Sequence, residues 1–201
     1  MRYKRWRKCL KAKQDPEQVA AKQECLLEIQ TLEEQDHIDV FYGDESGFSL
    51  TPVTAYCWQY PKEEVRILAQ KSKRVNLFGL MSKDNRLTCF HKEGPINTRF
   101  VVDCLSEWVE TLTKPTVLIL DNAPIHQAKS FLALAQQWQE QNLFIFFLPK
   151  YAPHLNKIET LWRKFKYEWL KPDDYASLPI LKGALSSICS QFGQQFKIDF
   201  T

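Results

Sequence analysis

The chain has 201 residues, 27 Lys and Arg against 24 Asp and Glu, a formal net charge of +3 at pH 7, and 44% hydrophobic and 13% aromatic residues. That length supports one full core plus an appendage, and the aromatic content excludes a disordered or coiled-coil chain. The longest apolar run, Leu143 to Leu148, is six residues, well short of the roughly 18–20 that a membrane helix needs.

No apolar segment follows the basic N-terminus, which excludes a secretory signal and predicts a cytoplasmic protein with no membrane partner. The six cysteines (Cys9, Cys25, Cys57, Cys89, Cys104, Cys189) are scattered without a C-x-x-C pair, so neither a disulfide framework nor a zinc finger is expected. Cys89-x-His91 is the one close pair and reads as chance. Charge is uneven: residues 1–14 carry seven Lys and Arg and no acid, and residues 15–45 carry ten acids against Lys22 alone. Such a block is either a solvated tail or an arm that reaches nucleic-acid phosphates.

In chain order, Asp15 as cap and Pro16 at the first helical position open a helix to about Glu34. Ile38 to Tyr42 is rich in β-formers and reads as a short strand, closed by Gly43-Asp44-Glu45-Ser46-Gly47 with its acids at the strand tip. Residues 53–60, 65–69, 74–81 and 86–91 read as further strands of an antiparallel meander. Phe100, Val101, Cys104, Leu105, Trp108, Val109 and Leu112 share one helical face that Asn97 or Thr98 can cap. Val117 to Leu120 is a continuous apolar run, as in a strand buried on both faces, and Asp121-Asn122 ends it. A helix around Phe131 to Trp138, a strand from Leu143 to Leu148 and a helix around Ile158 to Phe165 follow. One more amphipathic helix spans 178–192. The order predicts an α/β domain, a mixed sheet covered by helices whose strand-helix-strand portion is parallel. The expected divisions are a basic arm and helical linker over 1–36, a core domain over 37–171 and a helical extension over 172–201.

Three acids stand where an element starts or ends: Asp44, Asp121 and Glu159. Adjacent central strands would bring the aspartates together, and a helix packed on that edge would bring the glutamate. Converging carboxylates repel one another unless cations join them, and hard oxygen donors suit Mg²⁺ or Mn²⁺. Each acid also has a structural account. Asp44 and Asp121 serve as turn residues, and Glu159 can form a capping box with Asn156 and an ion pair with Arg163.

The segments Tyr42-Gly43-Asp44-Glu45-Ser46-Gly47-Phe48, Leu120-Asp121-Asn122-Ala123-Pro124-Ile125-His126 and Leu148-Pro149-Lys150-Tyr151-Ala152-Pro153-His154-Leu155-Asn156-Lys157-Ile158-Glu159-Thr160-Leu161-Trp162 occur in this order, with 37 residues between Asp121 and Glu159. Together they resemble the three catalytic blocks of mariner-like insertion-sequence transposases of the DDE superfamily, over about residues 36–170. The resemblance implies a ribonuclease-H-like mixed five-stranded sheet flanked by helices, with an N-terminal helical arm and a C-terminal helix. It implies that Asp44, Asp121 and Glu159 hold two Mg²⁺ or Mn²⁺ ions for cleavage and strand transfer of DNA at transposon ends, without a covalent protein intermediate. Asn122, His126 and Asn156 belong to the same blocks as supporting residues. Arg163 and Lys166 lie four and seven positions after Glu159; with Lys157, Arg5 and Arg7 they are candidate phosphate contacts, or a solvated basic face. Trp58 resembles part of a hairpin inserted early in the family's sheet.

Two positions depart from the family pattern. Lys157 stands where the third block commonly has Pro. The roughly 36 residues before the first strand are too few for the family's helix-turn-helix region, so a separately encoded or frameshift-joined recognition region is expected as partner, with a homodimer on DNA and a TA target. The alternatives are an inactive transposase remnant and a ribonuclease-H-like nuclease acting on hybrids, which shares fold and metals.

Overall fold

The computed structural model describes residues 14–52, 60–61 and 74–200. The basic arm with Arg5 and Arg7, Trp58, and the strands expected over 53–60 and 65–69 lie outside these residues, Tyr60 apart.

Five strands form one mixed sheet in the order β3-β2-β1-β4-β5. They are β1 (Asp39–Ser49), β2 (Arg74–Ser82), β3 (Leu87–Glu93), β4 (Thr116–Leu120) and β5 (Leu143–Phe147). β1 to β3 pair antiparallel, whereas β1 pairs parallel with β4, and β4 with β5. The expected mixed sheet and its parallel half are both present. Among the described residues five α-helices accompany it: α1 (Pro16–Glu34), α2 (Thr98–Val109), α3 (Lys129–Glu140), α4 (Ile158–Lys164) and α5 (Leu178–Ser190).

Side-chain alternation along the strands builds two cores, one on each face of the sheet. Tyr42, Leu77, Met81 and Ile119 point to the face covered by α4, α5 and Leu26 of α1. Phe41, Phe78, Leu80, Leu118 and Leu120 point to the face covered by α2 and α3. Strands buried on both sides are continuous apolar runs for this reason. α5 and the segment to Ile198 belong to the first core together with the sheet and α4.

Local signals explain the helix starts. Asp15 Oδ1 accepts from the backbone N–H of Glu17 and Gln18 ahead of Pro16, and Asn97 caps α2 through the N–H of Phe100 at 3.0 Å. α1 buries Leu26 while Leu27 and Leu32 stay exposed, so its apolar spacing makes only a narrow contact with the sheet. α4 runs on into a wider π turn at Phe165–Trp169, a local widening that often accompanies functional sites.

The structure corrects one boundary. β1 does not stop before Gly43 but continues to Ser49 along β2, so Asp44 lies inside an 11-residue strand and not at its tip. Of the glycines that read as a turn, Gly43 stands where a close approach in the core leaves little room for a side chain, whereas Gly47 faces only the movable end of exposed Arg74. A Cβ on Gly43 would lie 2.6 Å from Leu120 Cδ2, and one on Gly47 would collide with the Arg74 guanidinium.

Candidate active site

β1 and β4 pair only from Asp39 to Tyr42 and from Thr116 to Ile119. Beyond that point β1 follows β2 while β4 ends, and a fork opens between them. Asp44 lies two residues past Tyr42, and Asp121 lies two past Ile119. By alternation both aspartates face the side on which α4 packs. α4 carries Glu159 in its first turn, held in place by buried Ile158, Leu161 and Trp162. The three carboxylates line one cavity of about 430 Å³ together with Asn122, Asn156 and the loop from Leu148 to Pro153.

Hydrogen bonds fix the fork. Asn156 Nδ2 donates to the backbone carbonyl of Gly43 at 3.0 Å, supplying the partner that β4 no longer provides. The capping box anticipated for Asn156 and Glu159 is absent: Lys157 is the N-cap of α4, without a side-chain cap, because Asn156 is buried against β1. Trp162 Nε1 donates to Asp44 Oδ2 at 3.0 Å. The ring of His126, fully buried, bridges two acids, with Nδ1 3.0 Å from Asp121 Oδ1 and Nε2 3.0 Å from Glu45 Oε1.

The charges follow from these contacts. Burial, then repulsion from Glu45, Glu159 and Asp121, pushes the Asp44 carboxyl up to about 8. Glu159, exposed at the rim, is raised by partial desolvation and by Asp121, against the opposing charge of Lys166. Asp121 is lowered, because the hydrogen bond and charge of His126 outweigh its burial. Burial opposes a charged His126, but hydrogen bonds to Asp121 and Glu45 hold the imidazole up at about 10. At neutral pH the ring is therefore an imidazolium that donates from both nitrogens.

The DDE superfamily endonuclease profile matches residues 39–182, a span that contains every residue of this cavity. The chain belongs to this family. A 39 kDa uncharacterized protein of insertion element IS630 from Shigella sonnei is 27% identical over 130 residues, covering 62% of this chain and 36% of that protein. The fold is similar to the Mos1 strand transfer complex, with a TM-score of 0.64 at 16% identity over 96% of this chain and 60% of the other. It is also similar to a mariner Mos1 paired end complex with Mg, with a TM-score of 0.56 at 14% identity over 98% and 67%. The chain thus spans about a third of the IS630 protein and three fifths of the Mos1 chain in the strand transfer complex.

Within this DDE endonuclease chain the other anticipated residues are placed unequally. Lys166 is brought close enough to Glu159 and Asp44 to offset their charge, with Nζ 5.3 Å above the Phe48 ring. Arg163 is exposed one turn after Glu159. Lys157 Nζ lies over the rings of Tyr42 and Phe200 at 6.0 and 5.6 Å, outside the cavity lining. Glu45, Trp162 and Tyr151 are site residues that sequence reasoning passed over, although each stands inside a quoted block. Tyr151 lines the cavity with φ 62°, a left-handed conformation that costs a non-glycine residue about 1–2 kcal/mol.

Packing and charge meet at Gly79 of β2, which is in register with Asp44. A Cβ there would lie 2.7 Å from Trp162 Cη2. Gly79→Val is expected to push the indole off Asp44 and to cost about 1–3 kcal/mol. Urea unfolding and the Trp emission maximum measure this, and a variant as stable as the parent with unchanged emission contradicts it.

Proposed function

We propose that this chain is the catalytic part of a DDE transposase that cleaves and joins DNA strands with divalent metal at Asp44, Asp121 and Glu159. The observation that carries this reading is the delivery of three carboxylates to one cavity by a strand fork and a helix start. The donor chemistry suits Mg²⁺ or Mn²⁺, although among the described residues no three His, Cys, Asp or Glu side chains are gathered closely enough to hold one ion. The donor set is all hard oxygen, burial and then repulsion from neighbouring carboxylates raise Asp44 and Glu159, and the buried Asn156 Oδ1 of the same cavity lacks a partner among the described residues. The IS630 and Mos1 relatives, one an insertion-element protein and the other a transposase captured with Mg, support the same reading.

When bound, two such ions would acidify the attacking water or 3′-hydroxyl and neutralise the leaving oxygen. The chain's own residues supply the frame for that chemistry. The ladder of β1 and β4 sets the backbone positions of the aspartates, His126 holds Asp121 ionised and oriented, and Trp162 orients Asp44. Lys166 adds positive charge beside the cavity, where a DNA phosphate has to lie. Arg163, Lys157, Arg5 and Arg7 are the further phosphate contacts of this reading, and Asn122 lines the entrance. The expected partners are transposon ends and target DNA, a second copy of the chain, and a helix-turn-helix region encoded separately or joined by frameshifting. The expected location is the cytoplasm, on the nucleoid when DNA is bound. Among the described residues no helix is long and apolar enough to cross a membrane.

Calorimetric titration of Mn²⁺ into the folded chain and into Asp121→Asn tests the assignment. Binding by the parent that weakens at least tenfold in the folded variant is the expected result. Equal binding by both, or none by the parent with and without duplex DNA, overturns it.

A further inference from the structure

Cys89-x-His91 has no local partner in the sequence, but the fold supplies one. Cys89 and His91 are two apart on β3, so they face the same side as Leu87, which packs against the core that holds α5. Cys189 lies on α5, directly after buried Ile188 and four positions after buried Leu185. Packing of α5 across β2 and β3 sets the two thiols beside one another, with His91 next to the Cys189 sulfur. Both thiols are free and half-buried, whereas Cys104 is buried and Cys25 is exposed. A half-buried pair of neighbouring thiols flanked by an imidazole is a dithiol arranged for exchange.

We propose that Cys189 and Cys89 form a redox modification site that a low-molecular-weight disulfide, such as glutathione disulfide, converts into a covalent link between β3 and α5. Cys189 is the attacking sulfur. The neighbouring Cys89 thiol, together with His91, holds the Cys189 thiol below the ordinary range, while Cys89 is raised. The Cys189 thiolate attacks one sulfur of glutathione disulfide, forming a mixed disulfide and releasing one glutathione thiolate. Cys89 then loses its proton and attacks the Cys189 sulfur, releasing the second glutathione. Two protein thiols are oxidised to one disulfide, and one glutathione disulfide is reduced to two glutathiones. The cross-link spans 100 positions of chain and ties the edge strand to the helix whose Leu181 and Leu185 share a core with α4.

The test treats the reduced full chain with glutathione disulfide near neutral pH, alkylates the remaining thiols and maps the peptides by mass spectrometry. The expected product carries a Cys89–Cys189 linked peptide, melts several degrees higher than the reduced chain and returns to it with dithiothreitol. Cys89→Ser is expected to trap glutathione on Cys189 at a rate about tenfold above that at Cys25. Modification confined to Cys25, with no linked peptide in the parent chain, overturns the proposal, as does reaction of Cys189 no faster than Cys25 in folded Cys89→Ser.

Discussion

Asp121→Asn, Asp44→Ala and Glu159→Gln are each expected to lower metal-dependent nicking of duplex DNA by about a thousandfold or more while the folded chain keeps its circular dichroism spectrum. The size follows from the proposed role. Charge stabilisation by a bound ion contributes several kcal/mol to the transition state, and each ~1.4 kcal/mol is a factor of ten in rate. Retention of the fold follows from the surroundings. Asp121 is half exposed and Glu159 lies at the rim, and an amide at position 121 can still accept from His126. A plasmid-relaxation assay in Mn²⁺ measures the effect. Wild-type nicking by any one of the three variants removes that residue from the site.

Asp44→Asn is expected to act on stability in the opposite sense. The folded carboxyl sits at about 8, well above its ordinary value of 3.8. Between those values the folded chain holds a proton that the unfolded chain has released, so stability falls as pH rises through this window and levels off above it. An amide cannot ionise and still accepts the Trp162 hydrogen bond. At pH 8 and without metal the variant should therefore be more stable than its parent by a few kcal/mol, on the order of 2–5, with the advantage vanishing near pH 4. Urea unfolding at the two pH values checks this, and added Mn²⁺ should stabilise the parent alone. A variant less stable than the parent at pH 8 would mean that the carboxylate is not buried against its neighbours as described.

The elements were legible where local chemistry dictates them. Asp15-Pro16 and Asn97 mark helix starts by capping, and the run from Val117 to Leu120 marks a doubly covered strand by composition alone. The position of Asp44 was not legible, because Gly43 and Gly47 spell a turn in one dimension. Only the approach of Leu120 in three dimensions explains why Gly43 stands inside a strand. Asp121 and Glu159 could be singled out by their places at element ends, and all three acids by the family blocks. Their supports could not, since Trp162 reaches Asp44 across 118 positions and His126 reaches Glu45 across 81. The wide turn at Phe165–Trp169 breaks the 3.6-residue period on which helical-face arguments rest, and nothing in its composition announces it.

The fork between β1 and β4 divides the three carboxylates by stiffness. Two sit on short side chains just past the paired part of β1 and β4 and are held by Trp162 and His126, so each has little room to move. The third reaches in from the rim on a side chain one methylene longer, with an extra torsion to adjust. The site thus resembles a vice with one fixed jaw and one sliding jaw. On the proposed function, Glu159 would adjust to ions or DNA intermediates of different size, while the strand and the His126 bridge keep the aspartates where they are.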